Sequence, residues 1–289
     1  MNKAAIKRFA IEARNKLRNS VTDKAGMLGI TPEECSDPVT TGPDFEVYQT
    51  AAGTEITLNK SQCELRKKLV DKIAERDFDA VVEEVAYTWF NRICAIRFME
   101  VNDYLPSRVR VLSSEKDGKN EPDLVTMAPD VDLSFTEEER EKIYDLKMKG
   151  TTAASDELFQ KLFIKQCNAL HEILPELFEE TQDYTELLLD ISYANKDDVI
   201  YMLVNQEDGI PEADFNVTSV NEQGEVTGQV EIIGWLYQYY NTELKDDTFA
   251  KLKKNIKITK ERIPAATQLF TPDWIVRYMV CLLYTSDAA

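Results

Sequence analysis

The sequence has few of the residues that build glycine-looped or metal-dependent sites. Its 289 residues include 10 glycines and neither a G-x-G-x-x-G fingerprint nor a phosphate-binding P-loop. The one histidine, His171, and five cysteines without C-x-x-C spacing exclude the usual zinc sites, so we expect no metal. We expect His171 to be a packing residue and the cysteines to be reduced and mostly buried.

The chain also lacks the hydrophobic segments that would place it in or across a membrane. No apolar run approaches the length needed to span a bilayer, and the first 20 residues are charged throughout, unlike a signal peptide. We therefore expect a cytoplasmic protein with no membrane partner.

Positive charge is scarce overall, with a net charge of −18, but it is concentrated in two segments. Residues 1–18 and residues 251–262 each carry six basic residues and one acidic residue, whereas residues 19–250 sum to −27. An acidic body repels nucleic acid, so only these two segments are candidates for contact with phosphates. We single out Lys251, Lys253, Lys254 and Lys257 as DNA-contact candidates; the alternative is a solvated helix face.

What is abundant is helix-forming sequence, and 43% of the residues are hydrophobic. The predicted fold class is mainly α, a multi-helix domain with one small β-hairpin at Phe45–Asn59. The main helices are predicted at 6–17, 61–76, 77–105 and, capped by Thr136 and Gly150, at 136–150. Within the third, Arg92 and Arg97 interrupt a wide apolar face, and we expect both to be paired with acidic side chains.

Two further segments are less regular. The stretch SRVRVLSS, residues 107–114, is predicted as a short strand, and residues 115–132 as a polar loop. We take 115–135 as a candidate boundary inside a helical domain of residues 1–265.

A capped helix start near the end of the chain carries the clearest functional signal. In ATQLFTPDWIVRYMV, Thr271 is a good N-cap and Pro272 suits the first helical position. Free amide groups at such a start can hold a carboxylate or a phosphate, although any capped helix shows this property.

The neighbouring sequence segments resemble those of a known protein family. QLFTPDWIVRYMV resembles the Q-x-F-T-P segment before the cofactor-binding strand of adenine-specific (N6) DNA methyltransferases. YTWFNRICAIRFMEVNDYLPSRVRVLSS, EIIGWLYQYYN and KLKKNIKITKERIPAATQLFTPDWIVRYMV further resemble the N-terminal region of the methyltransferase of type 1 BREX (bacteriophage exclusion) defence systems. The resemblance covers residues 1–280.

The resemblance implies a cofactor, a substrate and a set of site residues. Residues 266–280 would begin an S-adenosylmethionine-dependent domain, in which Phe270, Thr271 and Pro272 form one wall of the cofactor pocket and Gln268 positions that loop. The substrate would be double-stranded DNA, and other defence-system proteins are candidate partners. No catalytic residue is assigned, because the family's acidic cofactor loop and its Asn-Pro-Pro-aromatic motif for the flipped adenine are absent.

We therefore expect a chain cut before the doubly wound α/β methyltransferase sheet, inactive alone and not expected to bind the cofactor well. Residues 281–289 are expected to be a foreign tail. Two alternatives remain open: a helical protein-interaction scaffold, and an acidic DNA mimic suggested by the charge of residues 19–250.

Overall fold

The computed structural model describes residues 1–176, 178, 184–224, 230–258, 262–267, 271 and 273–286. The chain divides into two compact units. The central unit comprises residues 12–209, and the terminal unit combines residues 1–11 with residues 210–289. The first helix therefore contributes residues to both units.

Helices dominate the described residues, which confirms the predicted fold class. They are α1 (Lys3–Met27), α2 (Lys60–Arg76), α3 (Phe78–Val101), α4 (Asp123–Met127), α5 (Glu137–Lys149), α6 (Thr152–His171), α7 (Val199–Val204), α8 (Glu212–Phe215), α9 (Glu231–Tyr240), α10 (Thr242–Lys253), α11 (Ile263–Thr267) and α12 (Asp273–Ser286). None of them is both long enough and apolar enough to cross a bilayer.

The predicted hairpin is present and is widened by one strand. Strands β2 (Phe45–Gln49) and β3 (Glu55–Asn59) pair antiparallel, with Val47 opposite Thr57. A two-residue strand, β1 (Thr40–Thr41), pairs with the other edge of β2. Buried Arg66 on α2 lies 3.6 Å above the ring of Tyr48 and donates to the carbonyl of Leu28, which fixes the sheet against the helices of the central unit.

Helices α3 and α6 supply the aromatic core of the central unit. Trp89, Phe159 and Phe163 are fully buried, and the ring centroids of Trp89 and Phe163 lie 6.1 Å apart. Helix α5 packs on α6 and has the predicted caps. The Thr136 hydroxyl accepts from the Glu139 amide at 3.2 Å, while Gly150 ends the helix at φ +59°.

The prediction of a strand at residues 107–114 is wrong, because a buried carboxylate binds main-chain amides of this segment. The main-chain amides of Val111 and Leu112 donate to the Glu100 carboxylate on α3, each at 2.8 Å, instead of to a neighbouring strand. Arg97 donates to the same carboxylate at 2.7 Å, so its predicted pairing is confirmed. The predicted loop at 115–132 contains the short helix α4.

In the terminal unit, the first residues of the chain contact residues of α8 and α9. The amide of Asn2 donates to the buried carboxylate of Asp214 at 2.6 Å. The ammonium of Lys3 lies 4.0 Å from the ring centroid of Trp235, which stacks on Tyr239 at 5.6 Å. Buried side chains on α1 and α9 form the interior of this unit: Ile6, Phe9, Ile232, Leu236 and Tyr240.

Candidate nucleic-acid interface and cofactor loop

The net negative charge of the chain comes from the central unit. By sequence, residues 12–209 carry 41 acidic and 23 basic residues, which gives the full net charge of −18. The terminal unit carries 11 of each and is neutral. A polyanion is therefore repelled less by the terminal unit than by the central unit.

Four lysines of the basic segment lie on or just after the last turn of α10. Lys251 and Lys253 belong to that turn, Lys254 caps it, and Lys257 follows it. The helix ends because Asn255 adopts a left-handed conformation at φ +57°, which asparagine tolerates better than most residues.

The four lysines differ in whether a carboxylate already neutralises them. Lys251 Nζ lies 2.9 Å from an oxygen of Asp247, one helical turn earlier. Lys253, Lys254 and Lys257 are exposed, and no ion pair involves any of the three within the part of the chain that the structure describes.

Asp247 also binds Arg262 through the same carboxylate oxygen. The hydrogen bond from Arg262, followed by that from Lys251, lowers the pKa of Asp247. Asp247 therefore stays ionised at neutral pH and competes with any other anion for these two cations. Sequence reasoning missed this residue, although the i, i+4 spacing of Asp247 and Lys251 is a recognisable helix pair.

The candidate cofactor loop is only partly described. Thr271 is exposed, and the helix after it is described from Asp273. Gln268, Phe270 and Pro272 lie outside the described residues, so Thr271 is the one candidate whose surroundings the structure describes. The exposed hydroxyl of Thr271 is compatible with a hydrogen bond to a polar ligand group.

Helix α12, which follows that loop, exposes much of its apolar surface. Val276 is 44% and Met279 57% exposed. Leu282 and Leu283, in the segment interpreted as a foreign tail, are 51% and 67% exposed.

The structure shows the surroundings of His171 and of the five cysteines. His171 Nδ1 lies 2.6 Å from the carbonyl oxygen of Phe178. All five cysteines are free; Cys94 and Cys167 are buried, and burial raises the pKa of Cys167 to about 12, so its thiol is protonated and unreactive. Among the described residues, no three histidine, cysteine or carboxylate side chains cluster as metal ligands would.

Comparison with known proteins connects the chain to two methyltransferases, although no protein-family profile matches it. It is 45% identical to the adenine-specific methyltransferase PglX of Lacticaseibacillus casei (strain Zhang) over 291 aligned positions. It is 36% identical to the adenine-specific methyltransferase BrxX of Escherichia coli O9:H4 (strain HS) over 280 positions. Each alignment covers 97% of this chain but only 23% and 21%, respectively, of those proteins.

The chain thus spans about a fifth of the length of the curated relatives that it matches. The match extends through both compact units and is not confined to the basic segment or to the Q-x-F-T-P motif. The resemblance found in the sequence is confirmed: along its length this chain is related to the adenine-specific methyltransferases PglX and BrxX.

Proposed function

We propose that this chain is the N-terminal part of an adenine-specific DNA methyltransferase of a phage-defence system. The complete enzyme transfers a methyl group from S-adenosylmethionine to N6 of adenine in double-stranded host DNA, after the base is flipped out of the helix. The observation that carries this proposal is the similarity to PglX and BrxX over 97% of the chain. Because its substrate is host DNA, we place the enzyme in the cytoplasm.

Within that enzyme, we propose two roles for the terminal unit. Phe270, Thr271 and Pro272 form one wall of the cofactor pocket, and Gln268 positions that loop. The basic segment at the end of α10 contacts the DNA backbone. When bound, S-adenosylmethionine supplies the activated methyl group. We assign to the Thr271 hydroxyl a hydrogen bond with a polar group of the cofactor, and the exposure of Thr271 supports this role.

A chimera tests the proposed identity. The segment of Lacticaseibacillus casei PglX that aligns with this chain is replaced by residues 1–280, and adenine methylation of host DNA is measured by long-read sequencing. We expect methylation at the sites that PglX itself modifies, and none from PglX lacking the segment. A soluble chimera without adenine methylation would contradict the proposal.

The same chimera tests the cofactor wall. Thr271→Val keeps the shape of the side chain but removes its hydroxyl, and one hydrogen bond is worth about 0.5–1.5 kcal/mol. The expected result is a rise in KM for S-adenosylmethionine of about two- to tenfold. Thr152→Val is the matched control, because Thr152 is exposed at the start of α6 in the central unit. Equal KM values for the two variants would contradict the proposed contact between Thr271 and the cofactor.

We further propose that the isolated 289-residue chain is inactive. Its sequence contains neither the acidic cofactor loop nor the Asn-Pro-Pro-aromatic motif of the family. Incubation with duplex DNA and radiolabelled S-adenosylmethionine is expected to leave adenine unlabelled, and stoichiometric label on adenine would contradict this.

A further inference from the structure

The basic segment presents two kinds of cation. Lys251 and Arg262 both bind one oxygen of the Asp247 carboxylate, the first at 2.9 Å. The ammonium groups of Lys253, Lys254 and Lys257 have no carboxylate within ion-pair distance among the described residues. The six basic residues among residues 251–262 are therefore not equivalent as phosphate ligands.

We propose that Asp247 divides this segment, so that Lys253, Lys254 and Lys257 bind DNA phosphates while Lys251 and Arg262 are withheld. The inference rests on the proposed function, because it specifies which side chains of that surface contact the substrate. Asp247 acts on DNA binding through the two cations that it holds and does not itself contact DNA.

The argument follows from how lysine binds a polyanion. A cation that neutralises a phosphate releases condensed counterions, and the affinity then falls with salt at a slope of about 0.9 per contact on duplex DNA. Lys251 and Arg262 would have to leave the Asp247 carboxylate to contribute, and the carboxylate would then stand unpaired beside the phosphates. The three unpaired lysines face no such exchange.

The lysines at a helix C-terminus have a second explanation, which is stabilisation of the negative end of the helix dipole. That effect falls off within the last turn, where Lys251 and Lys253 lie. Lys254 and Lys257 lie beyond the helical residues of α10, so the dipole accounts for them less well. Single substitutions at these two positions therefore separate the explanations.

The experiment measures binding of the 289-residue chain to a fluorescein-labelled 20-base-pair duplex by anisotropy, at a series of salt concentrations beginning at low salt. We expect Lys253, Lys254 and Lys257 together to contribute about 2.7 to the slope of the wild type, about 0.9 each. Lys254→Gln and Lys257→Gln should each lower the slope by about 0.9, whereas Lys251→Gln should leave it unchanged.

The decisive variant is Asp247→Asn, which removes the carboxylate that holds the other two cations. The slope should rise by up to about 1.8, about 0.9 for each cation, as Lys251 and Arg262 become available, with tighter binding at low salt. Asp246→Asn is the matched control, because Asp246 is the neighbouring exposed aspartate and the change in net charge is the same. It should leave the slope near that of the wild type.

The outcomes separate the inference from the proposed function. No binding by the wild type at the lowest salt would refute the DNA contact itself, and the division of the lysines with it. Wild-type binding with equal losses from Lys251→Gln and Lys254→Gln would leave the DNA contact standing but refute the role of Asp247. Equal effects of Asp246→Asn and Asp247→Asn would refute it as well, because only the net charge would then matter.

Discussion

Replacing Glu100 with glutamine should destabilise the central unit strongly, although the two side chains have the same shape. The Glu100 side chain is fully buried, and that of its ion-pair partner Arg97 is 2% exposed. Its carboxylate accepts from Arg97, from the amides of Val111 and Leu112, and from the Ser113 hydroxyl at 2.9 Å. These bonds attach residues 111–113 to α3.

The magnitude follows from what glutamine leaves unpaired. The NH₂ group of glutamine donates hydrogen bonds and cannot accept them. It would therefore face either Arg97 and Ser113 or the amides of Val111 and Leu112, which are donors themselves. Each buried donor left without an acceptor costs about 1–3 kcal/mol. Arg97 loses its counter-charge, although its hydrogen bond to the Ser113 hydroxyl at 2.9 Å does not depend on Glu100. Breaking a buried pair by removing one partner typically costs about 3–5 kcal/mol, and we expect Glu100→Gln to lie in that range.

The assay needs a reporter inside the central unit. Trp89 is fully buried there, whereas the other two tryptophans, Trp235 and Trp274, belong to the terminal unit. Urea unfolding is therefore followed by Trp89 fluorescence in a background with phenylalanine at positions 235 and 274. A loss of about 3–5 kcal/mol should lower the urea midpoint by more than about 1 M at unchanged slope.

Glu75→Gln is the matched control, because Lys72 and Glu75 form an exposed pair with the same i, i+3 spacing and order of charge. It should cost less than about 0.5 kcal/mol. If Glu100→Gln cost less than about 1 kcal/mol, residues 111–113 would have other partners, and the account of why they form no strand would be wrong.

Two further predictions concern pH and the end of the chain. Burial raises the pKa of Asp198 to about 7, so the folded state binds the carboxyl proton of Asp198 more tightly than the unfolded state does. The stability that this proton contributes is therefore present below about pH 4 and is lost as the pH rises to about 7. Asp198→Asn, which can still accept from the Ile200 amide, should flatten the fall in melting temperature between pH 4 and 7, and an unchanged profile would contradict the raised pKa. Removing residues 281–289 should change the free energy of unfolding by less than about 0.5 kcal/mol, because Leu282 and Leu283 are more than half exposed; a larger loss in calorimetry would show that the segment supports the fold.

Local signals in the sequence were enough to predict the main helices, although α1 (Lys3–Met27) is longer than predicted and α3 ends at Val101, before the predicted residue 105. Helix α5 is the clearest case, because Thr136, Glu139 and Gly150 each satisfy a backbone requirement within a few residues. The hairpin was predictable for the same reason, since its alternating strands are separated by a short turn with Gly53 at φ +79°. The third strand was not, because two residues carry no detectable alternation.

Interactions between residues distant in sequence were not predictable in this way. The alternating apolar pattern of SRVRVLSS is typical of a strand, but a strand also needs a neighbour for its amides. Glu100 takes that place for Val111 and Leu112, at a separation of 11 and 12 residues. Nothing in the local pattern indicates that a buried carboxylate will meet those amides.

The candidate DNA surface shows the same limit for electrostatics. Counting charges over residues 251–262 gives +5, which treats every lysine and arginine as equally available. The structure removes Lys251 and Arg262 from that count, because Asp247, four residues before the segment, binds both. Under the proposed DNA contact, the number of available cations, and with it the salt dependence of binding, is set by a residue outside the basic segment.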